Sequence, residues 1–364
     1  MRTLGLFTIY LCNYGAVLQT YALKKYIENQ FSDIKVSVVD FYSNEHYRIF
    51  RTSANSPIKK FVKLGMIMTH FPALVIRNNS EKRFIAEEFN LSRRFETVEE
   101  LFKEVPVYDY YLTGSDQVFN SNSKYSDIFF QQFEIIHGIK LAYAPSFGKS
   151  IFFDEEKEHI RKLTQVFDFL SCREIDGAHL LSELHSKEVP CVIDPTLLLT
   201  SNQWKQMMIS PKTSDRYLLI YDLNGGSPML DIARKIAFEK GLKTYCITRH
   251  PDIGFIYRNI DKVIYDAGPR EFVGYFSKAS YVITDSFHGT AFSIIFRKDF
   301  NTYIAVKRSS QRIKSLLEQC NLKCRIIEDS NLLDTAENCQ NQFSEESFAE
   351  YRQHSIDYLT KILR

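Results

Sequence analysis

The sequence predicts an α/β protein built from two Rossmann-like domains that face each other across a cleft. Apolar, strand-like runs alternate with helical patterns along most of the chain, as they do in doubly wound α/β domains. The alternation stops at the turn-rich segment 210–215 and then restarts. A length of 364 residues also suits two domains of ordinary size. We therefore expect domains at 1–209 and 210–343, with a C-terminal helix at 344–364 that packs back onto the first domain.

The first domain opens with a β-α-β pattern. Strands are expected at 3–10 and 35–42, and the helix between them begins near Ala16. Residues 44–105 carry helical patterns without a clear motif. A helix is expected at 175–184, and the remaining strands are expected at 108–113, 140–144, 166–172 and 189–193.

The second domain repeats the alternation after residue 215. Ser227 and Pro228 are typical of a helix start, and Gly241 is typical of a helix end. Further helices are expected at 270–278 and 291–296. The strands are expected at 217–223, 243–248, 262–265, 281–284 and 301–305. A charged helix at 345–364 ends the chain.

Net charge, apolar runs, cysteine count and missing motifs exclude several classes of function. The net charge of +2 leaves no basic field for a nucleic acid, so no nucleic-acid partner is expected. No apolar run approaches the roughly 20 residues of a membrane span, so at most peripheral membrane association is expected. Seven scattered cysteines indicate reduced thiols of a cytoplasmic protein. Motifs for nicotinamide binding, P-loops, zinc proteases and serine hydrolases are missing, and neither metal nor cofactor is expected.

The segment 285–290 (DSFHGT) is the sharpest chemical feature. It lies between an apolar strand and an apolar helix, where free helix N–H groups favour an anion. His288 can act there as a general acid or bind a phosphate, and Gly289 would let a ligand approach the backbone. The alternative is structural: Asp285 or Ser286 caps the helix and His288 packs.

Two further strand ends carry charged candidates. Arg173 can clamp a carboxylate or phosphate in a bidentate fork, although an ion pair with Glu174 would explain it equally well. Asp116 follows a tight turn at Gly114 and can accept hydrogen bonds from sugar hydroxyls, with helix capping as the alternative.

Loops and aromatic residues supply weaker candidates. Lys307, Arg308 and Arg312 form a basic cluster, whose ordinary interpretation is a solvated face. Most aromatic residues fall in strands and on helix faces, where packing is their default role. Five lie at predicted cleft loops, where they can stack on a sugar ring: Tyr14, Phe119, Tyr143, Phe147 and Phe287.

Taken in order, six segments resemble the polysaccharide pyruvyl transferase family: 13–19 (NYGAVLQ), 114–120 (GSDQVFN), 143–148 (YAPSFG), 171–174 (SCRE), 194–198 (DPTLL) and 284–290 (TDSFHGT). The resemblance implies a GT-B-like fold and an enzyme that transfers a pyruvyl group from phosphoenolpyruvate to a sugar of a cell-surface or capsular polysaccharide repeat unit. The products would be a cyclic pyruvate ketal and phosphate. The acceptor is expected to be a lipid-linked oligosaccharide, modified on the cytoplasmic side before export.

The resemblance also implies roles for individual residues. His288 corresponds to the histidine proposed to be catalytic, and Arg173 to an arginine implicated in donor binding. The donor is expected to lie on the side of the second domain. The residues expected to bind it are Arg173 of the first domain and Ser286, Gly289, Thr290, Lys307, Arg308 and Arg312 of the second. The first is expected to bind the acceptor through Asn13, Tyr14, Asp116, Gln117 and Tyr143.

One position departs from the family pattern. Some members carry an arginine two residues before the histidine, where this chain has Ser286. Our hypothesis is that Lys307, Arg308 or Arg312 supplies the missing charge. Two other functions stay open: a nucleotide-sugar glycosyltransferase of the same fold, and a non-catalytic glycan-binding subunit of a polysaccharide assembly complex.

Overall fold

Two parallel β-sheets organise the chain in a computed structural model that describes residues 1–11, 13–41, 65, 68–225, 227–249, 256–305, 311–328 and 344–364. The first sheet has the order β3-β2-β1-β4-β5 and the second the order β11-β10-β9-β6-β7-β8. The strands are β1 Arg2–Phe7, β2 Ile34–Phe41, β3 Leu91–Phe95, β4 Tyr110–Thr113, β5 Ile139–Ala142, β6 Tyr217–Asp222, β7 Lys243–Thr248, β8 Lys262–Ile264, β9 Tyr281–Thr284, β10 Asp299–Tyr303 and β11 Ile326–Ile327.

Helices connect and cover the strands. In the described residues they are α1 Tyr14–Gln30, α2 Phe71–Glu88, α3 Val98–Lys103, α4 Ser126–Phe129, α5 Asp154–Thr164, α6 Ile175–His185, α7 Ser201–Met207, α8 Ser227–Lys240, α9 Pro269–Lys278, α10 Phe287–Ile295, α11 Gln311–Gln319 and α12 Glu345–Leu363. Short 3₁₀ helices lie at Pro195–Leu197 and Lys323–Arg325.

Both sheets have a Rossmann strand order. In each sheet, the order in which successive strands are added reverses at one point. The reversal lies between β1 and β4 in the first sheet and between β6 and β9 in the second. Open α/β sheets bind ligands in the crevice beyond the carboxyl ends of the strands at such a point. The prediction of two Rossmann-like α/β units is confirmed.

The hydrophobic core continues from one sheet to the other. Strand β6 is buried at every residue, as expected for a parallel strand covered on both faces. Tyr14, at the start of α1, stacks on Phe272 of α9 with ring centroids 4.6 Å apart. The Tyr14 hydroxyl donates a hydrogen bond to the Ala267 carbonyl at 2.6 Å. Helix α1 is therefore anchored to elements of the second sheet.

The C-terminal helix α12 packs on the first sheet, as predicted. The Tyr358 hydroxyl donates to the Ala142 carbonyl at the end of β5 at 3.1 Å. The backbone N–H of Ile193 donates to Ser355 Oγ at 2.8 Å. The boundaries at 209 and 343 stay predictions.

Two expected strands are wrong. The segment 166–172 makes only single bridges, Leu141 with Phe169 and Cys172 with Cys191. A few backbone hydrogen bonds join it to its neighbours, and side chains take up other N–H groups there: Asp168 accepts the Lys140 N–H (2.8 Å) and Ser171 accepts the Ala144 N–H (3.0 Å). The segment 189–193 stays irregular because Pro190 has no N–H to donate.

The sequence patterns did not predict the elements with polar faces. Strand β3 (LSRRF) exposes its two arginines at the sheet edge, so it lacks an apolar run. The charged helix α5 also lacks an apolar run. Helix α10 begins at Phe287, four residues before the expected start, because the Ser286 hydroxyl caps it.

The cysteines differ from the expectation at one position. Cys172, Cys191, Cys246 and Cys320 are free thiols. Cys324 is disulfide-bonded, so the prediction that all seven are reduced is wrong there.

Among the helices of the described residues, none is long and apolar enough to pass through a bilayer.

Gly274 provides a test of the packing between α9 and the segment that leads into the second sheet. A Cβ at Gly274 would overlap the carbonyl group of Ile209, which is backbone and cannot rotate away. We expect Gly274→Ala to lower the free energy of unfolding by about 1–3 kcal/mol, measured by urea titration. The matched control is Gly65→Ala, because a Cβ at Gly65 meets no atom of the described residues within 4 Å. Equal stability of the two variants would contradict this packing.

Candidate functional site

The candidate site lies where the reversal points of the two sheets meet. The loop after β1 leads to Asn13 and Gly15, and the loop after β9 leads to His288. A Cβ at Gly15 would overlap the imidazole of His288. Glycine at position 15 therefore lets a histidine of the second sheet pack directly on the first turn of α1.

His288 is positioned by the cap of α10. The Ser286 hydroxyl accepts the Gly289 N–H at 3.4 Å and so caps the helix, which begins at Phe287. His288 then lies in the first turn, only 6% exposed. Its Nε2 lies 3.7 Å from Asp194 Oδ2, beyond hydrogen-bond distance.

Asp194 is the carboxylate around which the site is arranged. It is 2% exposed and caps the 3₁₀ helix that follows it, accepting hydrogen bonds from the N–H (3.0 Å) and hydroxyl (2.7 Å) of Thr196. Its Oδ2 accepts from Ser115 Oγ at 3.1 Å and from Arg173 Nη1 at 2.7 Å. Burial alone would raise the pKa of Asp194. The charges of His288 and Arg173 and the Thr196 N–H nevertheless hold it well below its usual range.

Arg173 is a buried cation enclosed by carboxylates. It is 4% exposed and contacts Asp194, Glu174 (Nε to Oε1, 3.2 Å) and Asp116 (Nη2 to Oδ1, 3.7 Å). Its guanidinium also lies over the Phe287 ring, 4.4 Å from the centroid. Burial opposes the charge, but the carboxylates raise the pKa of Arg173 above its usual value. The ion pair with Glu174, left open as an alternative, is present together with two others.

Two buried nitrogen atoms of this cluster have no hydrogen-bond partner in the described structure: His288 Nε2 and Arg173 Nη2. An unsatisfied buried donor costs about 1–3 kcal/mol, and such groups are rare outside functional sites. Both atoms lie within 4 Å of a carboxylate without bonding to it. They are the positions at which the cluster can still bind an anionic or hydroxyl ligand.

Asp116 has an unusual backbone conformation at the edge of the site. Its φ of 73° lies in the left-handed region, which aspartate tolerates better than most residues. The carbonyl of Asp116 accepts the N–H groups of Val118 and Ser146, which fix the turn. Its carboxylate lies between Arg173 and Arg312, whose Nη1 is 3.9 Å away. The helix-cap alternative does not apply, because no helix begins at this turn.

The basic cluster is only partly described. Arg312 lies in the first turn of α11, and burial and the charge of Arg173 lower its pKa. Two guanidinium groups thus lie among three carboxylates, those of Asp116, Glu174 and Asp194. Lys307 and Arg308 lie outside the described residues.

The aromatic candidates do not line an open cleft. Tyr143 donates its hydroxyl to the Ile193 carbonyl at 3.0 Å and belongs to the core, and Tyr14 stacks on Phe272. All five side chains are buried: Tyr14, Phe119, Tyr143, Phe147 and Phe287. That any of these rings stacks on a sugar stays a prediction.

Two predicted donor residues have structural explanations. A Cβ at Gly289 would overlap the Thr284 side chain, so glycine is needed there for packing on β9 and not for the approach of a ligand. The Thr290 hydroxyl donates to the Ser286 carbonyl (3.0 Å) and contacts Thr302 Oγ1 (2.9 Å), which ties α10 to β10. Thr290 is fully buried.

Two acceptor candidates keep partial exposure. Asn13 caps α1, with its Oδ1 accepting the Ala16 N–H at 2.8 Å. Gln117 packs against Gly148, whose φ of 73° and lack of a Cβ make room for it. Both residues flank the cluster around Asp194 in the loops after β1 and β4.

Sequence reasoning missed Asp194, Ser115 and Gly15 as parts of the site. The Asp194-Pro195 pair after an apolar segment is a typical capping signal, and it could have identified the buried carboxylate. In the described residues, no group of three or more His, Cys, Asp or Glu side chains is arranged to hold a metal ion.

Solved structures of similar fold support the two-domain architecture. A UDP-N-acetylglucosamine 2-epimerase from Rickettsia bellii is 13% identical with a TM-score of 0.52, and the match covers 100% of this chain and 95% of that chain. The S. aureus MnaA–UDP co-structure is 14% identical with a TM-score of 0.50, covering 100% and 98%. At these identities the likeness concerns the fold, and it confirms the predicted GT-B-like arrangement.

Sequence comparison identifies the family. No curated protein matches the chain. The family model described as polysaccharide pyruvyl transferase matches residues 13–302, which is most of the chain and includes every residue of the cluster around Asp194 except Arg312. The chain therefore belongs to the polysaccharide pyruvyl transferase family and is a transferase.

Proposed function

We propose that this enzyme transfers a pyruvyl group from phosphoenolpyruvate to a sugar of a cell-surface or capsular polysaccharide repeat unit, forming a cyclic ketal and releasing phosphate. The observation that carries the proposal is the pair of buried nitrogen atoms without a hydrogen-bond partner among the described residues, His288 Nε2 and Arg173 Nη2, on two side chains that both approach the Asp194 carboxylate. The acceptor is a lipid-linked oligosaccharide reached from the cytoplasmic side.

The reaction requires proton transfer and anion binding at one place. A proton adds to the methylene carbon of phosphoenolpyruvate, which makes C2 electrophilic. Two sugar hydroxyls add to C2, each losing its proton, while the C2–O bond to phosphate breaks. Of the two protons released, one replaces the proton consumed at the methylene carbon and one leaves with phosphate. No redox partner is needed.

His288 is the proposed acid. Its imidazole packs on Gly15, and its Nε2 lies 3.7 Å from the carboxylate of Asp194, whose pKa is held well below its usual range. A positioned acid of this kind contributes a factor of about 10²–10⁴ to the rate.

Arg173 is the proposed donor contact, through Nη2. Its other guanidinium nitrogens are held by Asp194 and Glu174, so the orientation of Nη2 is fixed before a ligand arrives. Asn13 and Gln117 are proposed to meet the acceptor, because they keep solvent access beside this cluster.

Product analysis separates this proposal from its alternatives. The enzyme is incubated with phosphoenolpyruvate and a panel of lipid-linked or synthetic acceptors, and the acceptors are examined by mass spectrometry. A pyruvate ketal with equimolar phosphate supports the proposal. Release of nucleotide from a sugar nucleotide would instead identify a glycosyltransferase, and acceptor binding without turnover would identify a glycan-binding subunit.

Removal of the imidazole tests the role of His288. We expect His288→Ala to lower kcat for ketal formation by at least about 100-fold, because the proton donor is lost. Phosphate release and acceptor mass are the measurements, and an unchanged circular dichroism spectrum shows that the protein is folded. A folded variant with full activity contradicts the assignment.

Crowding the imidazole tests its position separately. Gly15→Ala places a methyl group against the His288 ring, and a displacement of about 1 Å can cost on the order of 10² in rate. We expect kcat to fall while the Kd for phosphoenolpyruvate, measured by calorimetry, changes little. Gly65→Ala is the matched control. An equal fall in affinity and turnover would show general damage to the site and exclude a specific displacement.

A further inference from the structure

A second pair of arginines, one buried and one partly exposed, lies beside the candidate site. Arg249 follows β7 directly, and β7 is separated from β9 only by β6. Arg77 and Glu81 lie one turn apart on α2, and both are buried. Helical spacing of four residues places them on the same face, toward Arg249.

The contacts define the cluster. Arg249 Nη1 lies 3.4 Å from Glu81 Oε2, and the Arg249 guanidinium lies 5.3 Å from the centroid of the Tyr14 ring. Arg77 is only 9% exposed, and its Nη1 has no hydrogen-bond partner in the described part of the chain. The Arg249 side chain keeps 22% exposure, so the cluster is reached from solvent.

The charges of this cluster do not balance. Among the described residues, two guanidinium groups share one buried carboxylate, that of Glu81, while Asp266 nearby is exposed. Burial and the charge of Arg249 both lower the pKa of Arg77, as expected for two like charges near each other. The cluster around Arg173 has the opposite balance, with three carboxylates for two guanidinium groups.

Two tyrosines connect the arginine pair to the candidate site. Tyr14 precedes Gly15, on which His288 packs, and the ring of Tyr221 lies 6.1 Å from that of Tyr14. Tyr221 in turn interacts with both Arg249 and Ser286. The surplus positive charge therefore lies at the same sheet edge as the loop that carries His288.

We infer that Arg77 and Arg249 form a phosphate-binding site beside the candidate site. Two guanidinium groups with one counter-charge leave one net positive charge, which attracts an anion, and arginine binds phosphate in a bidentate manner. The phosphate belongs either to the pyruvyl donor or to the diphosphate that links an acceptor sugar to its carrier. This choice of substrate rests on the proposed function, whereas phosphate binding itself does not.

Equilibrium binding to the full-length protein tests the inference. The ligands are phosphoenolpyruvate, inorganic phosphate and UDP as a soluble diphosphate, measured by isothermal titration calorimetry. We expect Arg249→Gln to weaken binding of at least one of them by about tenfold or more, as for loss of a charged hydrogen bond. The matched control is Arg234→Gln on α8, because Arg234 pairs with Asp231 of its own helix.

The three ligands distinguish the source of the phosphate. A loss confined to phosphoenolpyruvate and inorganic phosphate assigns the site to the donor, and a loss confined to UDP assigns it to the acceptor diphosphate. Arg77→Gln is expected to give the same pattern. Phosphate binding that depends on Arg249 in a protein that forms no ketal would support the site and contradict the proposed function.

Two results would overturn the inference. One is a wild-type protein that binds none of the three ligands. The other is a pair of variants, Arg249→Gln and Arg77→Gln, that lower the Tm but leave every affinity at the wild-type value. In that case the arginines only link α2 to the end of β7 through Glu81.

Discussion

The buried carboxylate of Asp194 is the group on which the geometry of the site depends. It takes hydrogen bonds from Thr196 in its own turn, from Ser115 after β4 and from Arg173 before α6. Those donors come from three separate segments, so one carboxylate fixes their relative positions. Removing a single partner from such a buried network leaves a charge uncompensated, which costs more than an ordinary surface change.

The two sets of arginines differ in how many carboxylates balance their positive charge. Arg173 is surrounded by three carboxylates, and one of its nitrogens has no hydrogen-bond partner among the described residues. Among the same residues, Arg77 and Arg249 have a single buried carboxylate between them, that of Glu81. A chain with a net charge of only +2 can therefore present a local positive field without a basic surface.

The fold was predictable where burial is uniform. The run 217–222 is buried on both faces, so its apolar sequence reveals a strand, whereas the edge strand 91–95 exposes two arginines and gave no signal. The site was predictable only in part, because its partners are far apart in sequence: Ser115 and Asp194 are separated by 79 residues. Local patterns marked His288 and Arg173, but no local pattern shows that Tyr143 points inward.

The contact between Gly15 and His288 crosses from one sheet to the other, and so does the approach of His288 to Asp194. The imidazole and the carboxylate thus belong to different halves of the molecule. Any motion that widens the gap between the halves takes His288 away from both Gly15 and Asp194. The arrangement exists only while the halves are in contact, so the site depends on the way the whole chain is folded.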